Sequence, residues 1–335
     1  GMATIEDVAR AAGVSRSTVS YALSGKRTIS RETRERIEHA ISELGFTVNA
    51  GARALATSQT MTLGLLSQFH QDEFAPAMLQ YIRSVSDASR ELGYDVLFVN
   101  DANAAAGVRR ITSSNQVDGV VLLDVTHADP RLDTLREARQ PGALIGLPGH
   151  SDGLDVFDLD FGEFARVLVD HLYGLGHREL ILISPPEHVF ERGGSYGWRF
   201  RDAAVERAGR YGLRIHTYYG ESQQPAIGVR VNAILDARPG ATALIVHNDA
   251  TIATLPLILQ TRGIRVPDDL SVVSLYSQDF GRIFSLAYTA VESSPDTLGR
   301  LAVQQLVRRI NDPGQAGPPV VKFIAPELID RGSAA

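Results

Sequence analysis

Cysteine is absent from the 335 residues, which excludes disulfides, thiolate metal sites and cysteine nucleophiles and fits a reducing cytoplasm. No apolar run approaches the roughly 20 residues that cross a bilayer, and no charged stretch followed by an apolar one opens the chain, so a soluble, cytoplasmic protein is expected. Catalytic signatures are equally scarce. H-E-x-x-H does not occur, and His171 with His177 read as packing or capping residues rather than metal ligands. Gly25-Lys26 has Ser20 where a phosphate loop needs its leading glycine and Arg27 where it needs Ser or Thr. Gly193-Gly-Ser-Tyr-Gly197 fits G-x-S-x-G, the nucleophile elbow of hydrolases. A charged, proline-containing stretch from Pro185 to Arg192 separates Ser195 from the preceding apolar run, however, and no histidine follows His247. The hydrolase is therefore the weaker alternative, and no catalytic residue, metal or cofactor is expected.

What is present is material for two or three domains: 44% hydrophobic and 21% charged residues in a chain of this length. The net charge of −6 argues against an extended nucleic-acid surface, but the charge is unevenly spread. Residues 1–60 hold eight basic and six acidic side chains, giving +2, and the remaining 25 basic and 33 acidic residues give −8. A mildly basic head on an acidic body is the pattern expected when only the head meets phosphates.

In the head, Thr4 precedes a helical pattern of Ile5, Val8, Ala9 and Ala12, with Asp7 placed for a capping box. Gly13 and Val14 make a tight turn, and Ser15 is a good N-cap for a second helix carrying Val19, Ala22 and Leu23. A third helix runs from the cap Ser30 through Ile37, Ala40, Ile41 and Leu44 to Gly45. Two short helices joined by a turn of about three residues form the helix-turn-helix pattern, whose second helix enters the major groove. Periodicity alone also allows an ordinary three-helix unit. What favours DNA is the outward face of the second helix, where Arg16, Ser17, Ser20 and Tyr21 all form hydrogen bonds and none is acidic.

The string Thr4-Ile-Glu-Asp-Val-Ala-Arg-Ala-Ala-Gly-Val-Ser-Arg-Ser-Thr-Val-Ser-Tyr-Ala-Leu23, with Ser30-Arg-Glu-Thr-Arg-Glu-Arg-Ile37 and Leu44-Gly-Phe-Thr-Val-Asn49, closely resembles the head of LacI-type bacterial regulators, the lactose- and purine-repressor family. The resemblance implies that Arg16, Ser17 and Tyr21 read base edges and that Thr4, Ser15, Thr18, Ser30, Thr33 and Asn49 touch phosphates. Tyr21 stands where that family often has Arg, and Phe46 where it often has Tyr. Asn49 to Ala56 matches the hinge helix, which in the family folds only on the operator and inserts a leucine into the minor groove. Leu55 is that leucine here, with Ala52 beside it among the DNA-facing residues. An eight-residue helix is below the roughly 12–15 residues at which isolated helices become marginal, and Gly51 weakens it by about 1 kcal/mol relative to Ala.

From Thr62 onward short apolar runs alternate with helical stretches: Leu63 to Leu66, Val96 to Val99, Val120 to Leu123, Leu144 to Leu147, Leu180 to Ile183, Leu244 to Val246 and Val272 to Leu275. These are buried parallel strands by pattern, with helices near 75–92, 162–174, 197–209 and 250–262. Ligands of such sheets bind beyond the carboxyl ends of the strands. The family resemblance continues through Val117-Asp-Gly-Val-Val-Leu122, Leu175-Gly-His-Arg178, Asn248-Asp249 and Gly263 to Val273. It implies two lobes that close on a small effector, and a homodimer.

The expected architecture is thus an N-terminal all-α helix-turn-helix head, residues 1–47, a hinge, 48–60, and an α/β two-lobed periplasmic-binding-protein-like effector domain, 61–335. Lobe 1 is expected over 61–160 and 291–322, and lobe 2 over 161–290 and 323–335. Gly194 and Tyr276 stand where the family usually has an effector-binding Arg and Asp, so an ordinary sugar site is not expected. Candidate effector contacts are Phe69, His70, Asp72, Phe74, Arg192, Trp198, Asn248, Asp249 and Tyr276. The expected function is a sequence-specific transcriptional regulator, a repressor, binding double-stranded operator DNA as a homodimer under control of a small-molecule effector. The other alternative is a solute-binding receptor with no DNA role.

Overall fold

The structure is a computed structural model that describes residues 3–68, 70 and 72–335. Its head is three helices, α1 (Ile5–Ala12), α2 (Arg16–Ser24) and α3 (Arg31–Leu44). The local chemistry sets their ends. Thr4 and Asp7 form a reciprocal capping box, Gly13 takes a left-handed φ of 64° at the end of α1, and the Ser15 and Ser30 hydroxyls accept from the backbone N–H groups of Thr18 and Thr33. Val8, Ala9, Ala12, Val19, Ile37 and Ala40 close a small core that belongs to the head alone.

The hinge is α4 (Ala50–Thr57), helical in this structure, with Asn49 accepting from the Gly51 N–H at 2.9 Å and the helix lying against α2. Cap and neighbour thus supply part of what the sequence assigns to DNA and a partner copy. The side chain of Ala52 lies outside the described part of this helix.

The body contains two six-stranded sheets. In the first, β1 (Thr62–Leu66), β2 (Asp95–Val99), β3 (Gly119–Leu122), β4 (Gly142–Ile145), β5 (Asp155–Leu159) and β11 (Val321–Ile324) lie in the order β11-β5-β4-β3-β1-β2, all parallel. The second holds β6 (Glu179–Pro186), β7 (Arg214–Gly220), β8 (Ala243–Val246), β9 (Ser271–Tyr276), β10 (Thr289–Glu292) and β12 (Leu328–Ile329) in the order β12-β10-β9-β8-β6-β7, with only β12 antiparallel. Helices cover the sheets, among them α5 (Pro76–Glu91), α8 (Phe161–Gly174), α10 (Ser195–Arg210), α12 (Asp249–Thr261) and α14 (Pro295–Asn311). One apolar cluster runs through both lobes by way of Phe161, Phe164 and Phe200.

The chain crosses between the sheets three times. The expected crossings at 291 and 322 fall inside β10 and β11, each of which pairs along its whole length with one sheet. The crossings therefore lie at 293–294 and 325–327, where the ladder hydrogen bonds stop. All three passages leave the carboxyl ends of the strands of both sheets facing one cleft.

Candidate functional site

Two surfaces carry chemistry. On the head, Val19 is the buried residue of α2, while Arg16 and Ser17 are exposed and Ser20 and Tyr21 half-buried. The guanidinium of Arg27, in the loop after α2, sits 5.3 Å from the centre of the Tyr21 ring, a cation–π contact that holds a positive charge at the end of this helix. Thr4, Ser15, Ser30 and Asn49 are exposed at helix N-termini, with Thr18 and Thr33 one turn inside. The N–H groups of Thr4, Thr18 and Thr33 are spent on the caps themselves, donating to Asp7, Ser15 and Ser30. Leu55 on the hinge is 90% exposed, an uncovered apolar side chain of the kind that becomes buried on a partner.

The second surface is a cavity of about 510 Å³ between the lobes, lined from the carboxyl ends of β1, β3, β4, β5, β6, β8 and β9. The lobes are pinned across it. Arg192 donates to both carboxylate oxygens of Asp72, at 3.0 and 2.8 Å, and lies 3.7 Å from Glu73. Arg199 on α10 pairs with Asp158 at the end of β5. The Ser195 hydroxyl donates to the Leu147 carbonyl at 3.1 Å, the Ser222 hydroxyl to the Asp72 carbonyl, and the Ser277 hydroxyl to Gln80.

Of the expected effector contacts, His70, Phe74, Arg192, Asn248, Asp249 and Tyr276 line this cavity. Asn248 caps α12, its carbonyl oxygen accepting from the Thr251 N–H at 2.8 Å. Asp249 follows it, and burial pushes its carboxyl up to about 6. The Tyr276 hydroxyl donates to the Tyr288 carbonyl at 3.4 Å. Asp72 is a latch at the mouth rather than part of the lining. Phe69 lies outside the described residues. Trp198, expected to touch the effector, does not line the cavity. It packs edge-on against His127 at 5.7 Å and leaves the cavity to Ser195, Tyr196 and Arg199. The cause is helical phase: at 100° per residue, positions 195, 196 and 199 share a face that position 198 turns away from.

The cavity also contains residues the sequence reading missed. Glu73, Asp124, Asp158, Tyr81, Tyr196 and Arg199 all line it. Arg199 brings a guanidinium into the cleft although Gly194 lacks one. Asp124 directly follows Leu123, the end of an expected strand, and that position was the available signal. Burial raises the Glu73 carboxyl to about 7 and also raises Asp124, which Arg131 partly offsets. His247 is held down at about 3 by burial and is neutral.

Ser195 does not form a nucleophile. It is buried at the N-terminus of α10, its hydroxyl is committed to the Leu147 carbonyl, and no histidine reaches it among the described residues. No group of three metal-ligating side chains occurs among the described residues, and no described helix is long and apolar enough to cross a membrane.

Comparison with known proteins agrees with this division. Residues 4–49 match the bacterial regulatory proteins of the lacI family and residues 169–334 a periplasmic binding protein-like domain. The transcriptional repressor PurR of Erwinia tasmaniensis is 30% identical over 341 residues, spanning 100% of this chain and 97% of the relative. The transcriptional regulator CelR of Thermobifida fusca is 28% identical over 98% of each chain. A lac repressor dimer solved on operator DNA with an anti-inducer shares the fold, with a TM-score of 0.82, 21% identity and 99% coverage of both chains. With its helix-turn-helix head and two-lobed body, the chain belongs to the LacI family of bacterial regulatory proteins: it is a sequence-specific DNA-binding transcription regulator under effector control.

Proposed function

We propose that this protein is a cytoplasmic repressor, without catalytic activity, that binds a pseudo-palindromic operator as a homodimer and changes its hold on DNA when a small molecule fills the interlobe cavity. Head (1–47), hinge (48–60) and body (61–335) act as reader, wedge and sensor. Arg16, Ser17 and Tyr21 enter the major groove, the caps of α1, α2 and α3 with Asn49 seat on phosphates, and the two Leu55 side chains part a central base step. The observation that carries this reading is the acid-free outer face of α2 set beside a leucine that the fold leaves 90% exposed. Neither feature serves a receptor with no DNA role. Lobe closure on the effector is the coupling element, and the effect on DNA affinity is reciprocal: an effector that loosens the operator is itself loosened by it.

The test is selection of binding fragments from the organism's own genomic DNA, followed by footprinting of the purified protein. A two-fold symmetric footprint is expected, and no selected fragment at low salt would remove the reading. Leu55→Ala then isolates the wedge. Losing apolar burial of about 1.4 kcal/mol or more per leucine corresponds to about a hundredfold weaker operator binding for the dimer, with reduced bending in a circular-permutation gel shift. Unchanged bending would show that the hinge only spaces the heads.

A further inference from the structure

We propose that the effector carries a positively charged nitrogen, an aliphatic amine or amidine, held among Asp124, Asp249 and Glu73. This rests on the reading of the cavity as the effector site and adds the ligand's chemistry to it.

The cavity wall carries five carboxylates, Glu73, Asp124, Asp129, Asp158 and Asp249, against three guanidiniums. Each guanidinium is already paired with a carboxylate. Arg131 is bidentate on Asp129, Arg199 is on Asp158, and Arg192 is on both oxygens of Asp72. Three carboxylates remain. Asp124 and Asp249 receive no hydrogen bond to their oxygens among the described residues, although both line the cavity. Glu73 has His70 at 3.9 Å, Arg192 at 3.7 Å and a 3.4 Å bond from the His70 N–H. All three share the cavity wall with the Tyr196 phenol, whose proton burial first of all, and then each of these carboxylates, makes harder to remove.

His247 is an independent indication. It is only 7% exposed, lines the same cavity, stacks among Phe161, Tyr196 and Phe200, and its Nδ1 has no partner. Being neutral, its ring adds no cation to the wall.

The wall therefore carries negative charge in excess of positive. A hydroxyl brings no charge to such a wall, whereas an ammonium brings three donors and a positive charge that offsets carboxylates burial otherwise penalises.

The experiment uses the full-length protein, with matched pairs differing in that group: glucosamine against glucose, and putrescine against 1,4-butanediol. Binding is read by calorimetry and thermal shift, and operator release by gel shift. The amine of a pair should bind about tenfold or more tightly than its neutral twin, the worth of one charge-assisted hydrogen bond. Asp124→Asn and Asp249→Asn should each abolish that preference and, without any ligand, raise the melting temperature. Equal binding of the twins, a preference that survives both substitutions, or no amine binding at millimolar concentration overturns the inference. A neutral twin that binds and moves the operator equilibrium would leave the effector site standing while removing its cationic character. An amine that binds without touching operator affinity would do the reverse.

Discussion

Raising monovalent salt from about 50 to 200 mM should weaken operator binding about a thousandfold. Of the eight basic residues in the first 60, Arg10 pairs with Asp7 and Arg31 with Glu35. The other six, Arg16, Lys26, Arg27, Arg34, Arg36 and Arg53, have no ion-pair partner among the described residues. If half of these reach phosphates in each head, a dimer neutralises about six, and at about −0.9 per phosphate the log–log slope is near −5. The body's excess of acid repels DNA, so it adds no salt-dependent contact of its own. Fluorescence anisotropy on the footprinted operator measures the slope, and a value shallower than about −2 would mean that the head does not bind in this way. Arg27 sharpens the test because Tyr21 holds its guanidinium at the end of the reading helix. Should Arg27 contact a phosphate, Arg27→Ala lowers the slope by about 0.9 on every sequence. Should it reach a guanine edge, the loss is about 1–3 kcal/mol on the operator alone, and the slope is kept.

The parts of this molecule readable from sequence are those in which local chemistry decides. Thr4, Gly13, Ser15 and Ser30 fix the ends of the head helices within a few residues of chain, and β1 and β3 are apolar runs buried on both faces. β5 was missed because Asp155 and Asp158 interrupt its apolar pattern. Both are buried, and their carboxylates are satisfied by Arg309, at 2.6 and 2.9 Å, and by Arg199, residues 154 and 41 positions away. β7 lies at a sheet edge and is half polar, and β12 is two residues long. The same distinction runs through the cleft. Asn248 follows a strand, Tyr276 ends one, and both are legible, whereas Tyr196 and Arg199 depend on the phase of α10, which only its packing sets. The buried acids of the wall answer to arginines elsewhere in the chain, so no window of sequence contains the balance of charge.

Arg131→Met should cost the body about 3–5 kcal/mol, the penalty for breaking a buried ion pair by removing one partner. Arg131 is 3% exposed, and the Asp129 side chain it grips is 2% exposed. Its guanidinium also donates to the carbonyls of Leu123 at 2.8 Å and Leu66 at 3.3 Å, where β3 and β1 end at the cleft; the Leu66 carbonyl accepts from the Leu123 N–H as well. Methionine keeps much of the stem's volume but supplies none of these donors, so a carboxylate without its countercharge and the Leu123 carbonyl remain out of water, and the Leu66 carbonyl keeps only the Leu123 N–H. At about 2–4 °C per kcal/mol for a domain of this size, the melting temperature of the body falls by about 10 °C. The head has its own apolar core, so its transition in a calorimetric scan should stay where it is. Asp129→Asn added to Arg131→Met removes the uncompensated charge but keeps only one of the two backbone N–H bonds that Asp129 now accepts, because those of Thr126 and residue 131 go to different oxygens. It should therefore recover part of the loss. If the double variant is no more stable than the single one, the two carbonyls rather than the ion pair carry the energy, and Arg131 acts mainly as a clasp on the strand ends that form the cavity floor.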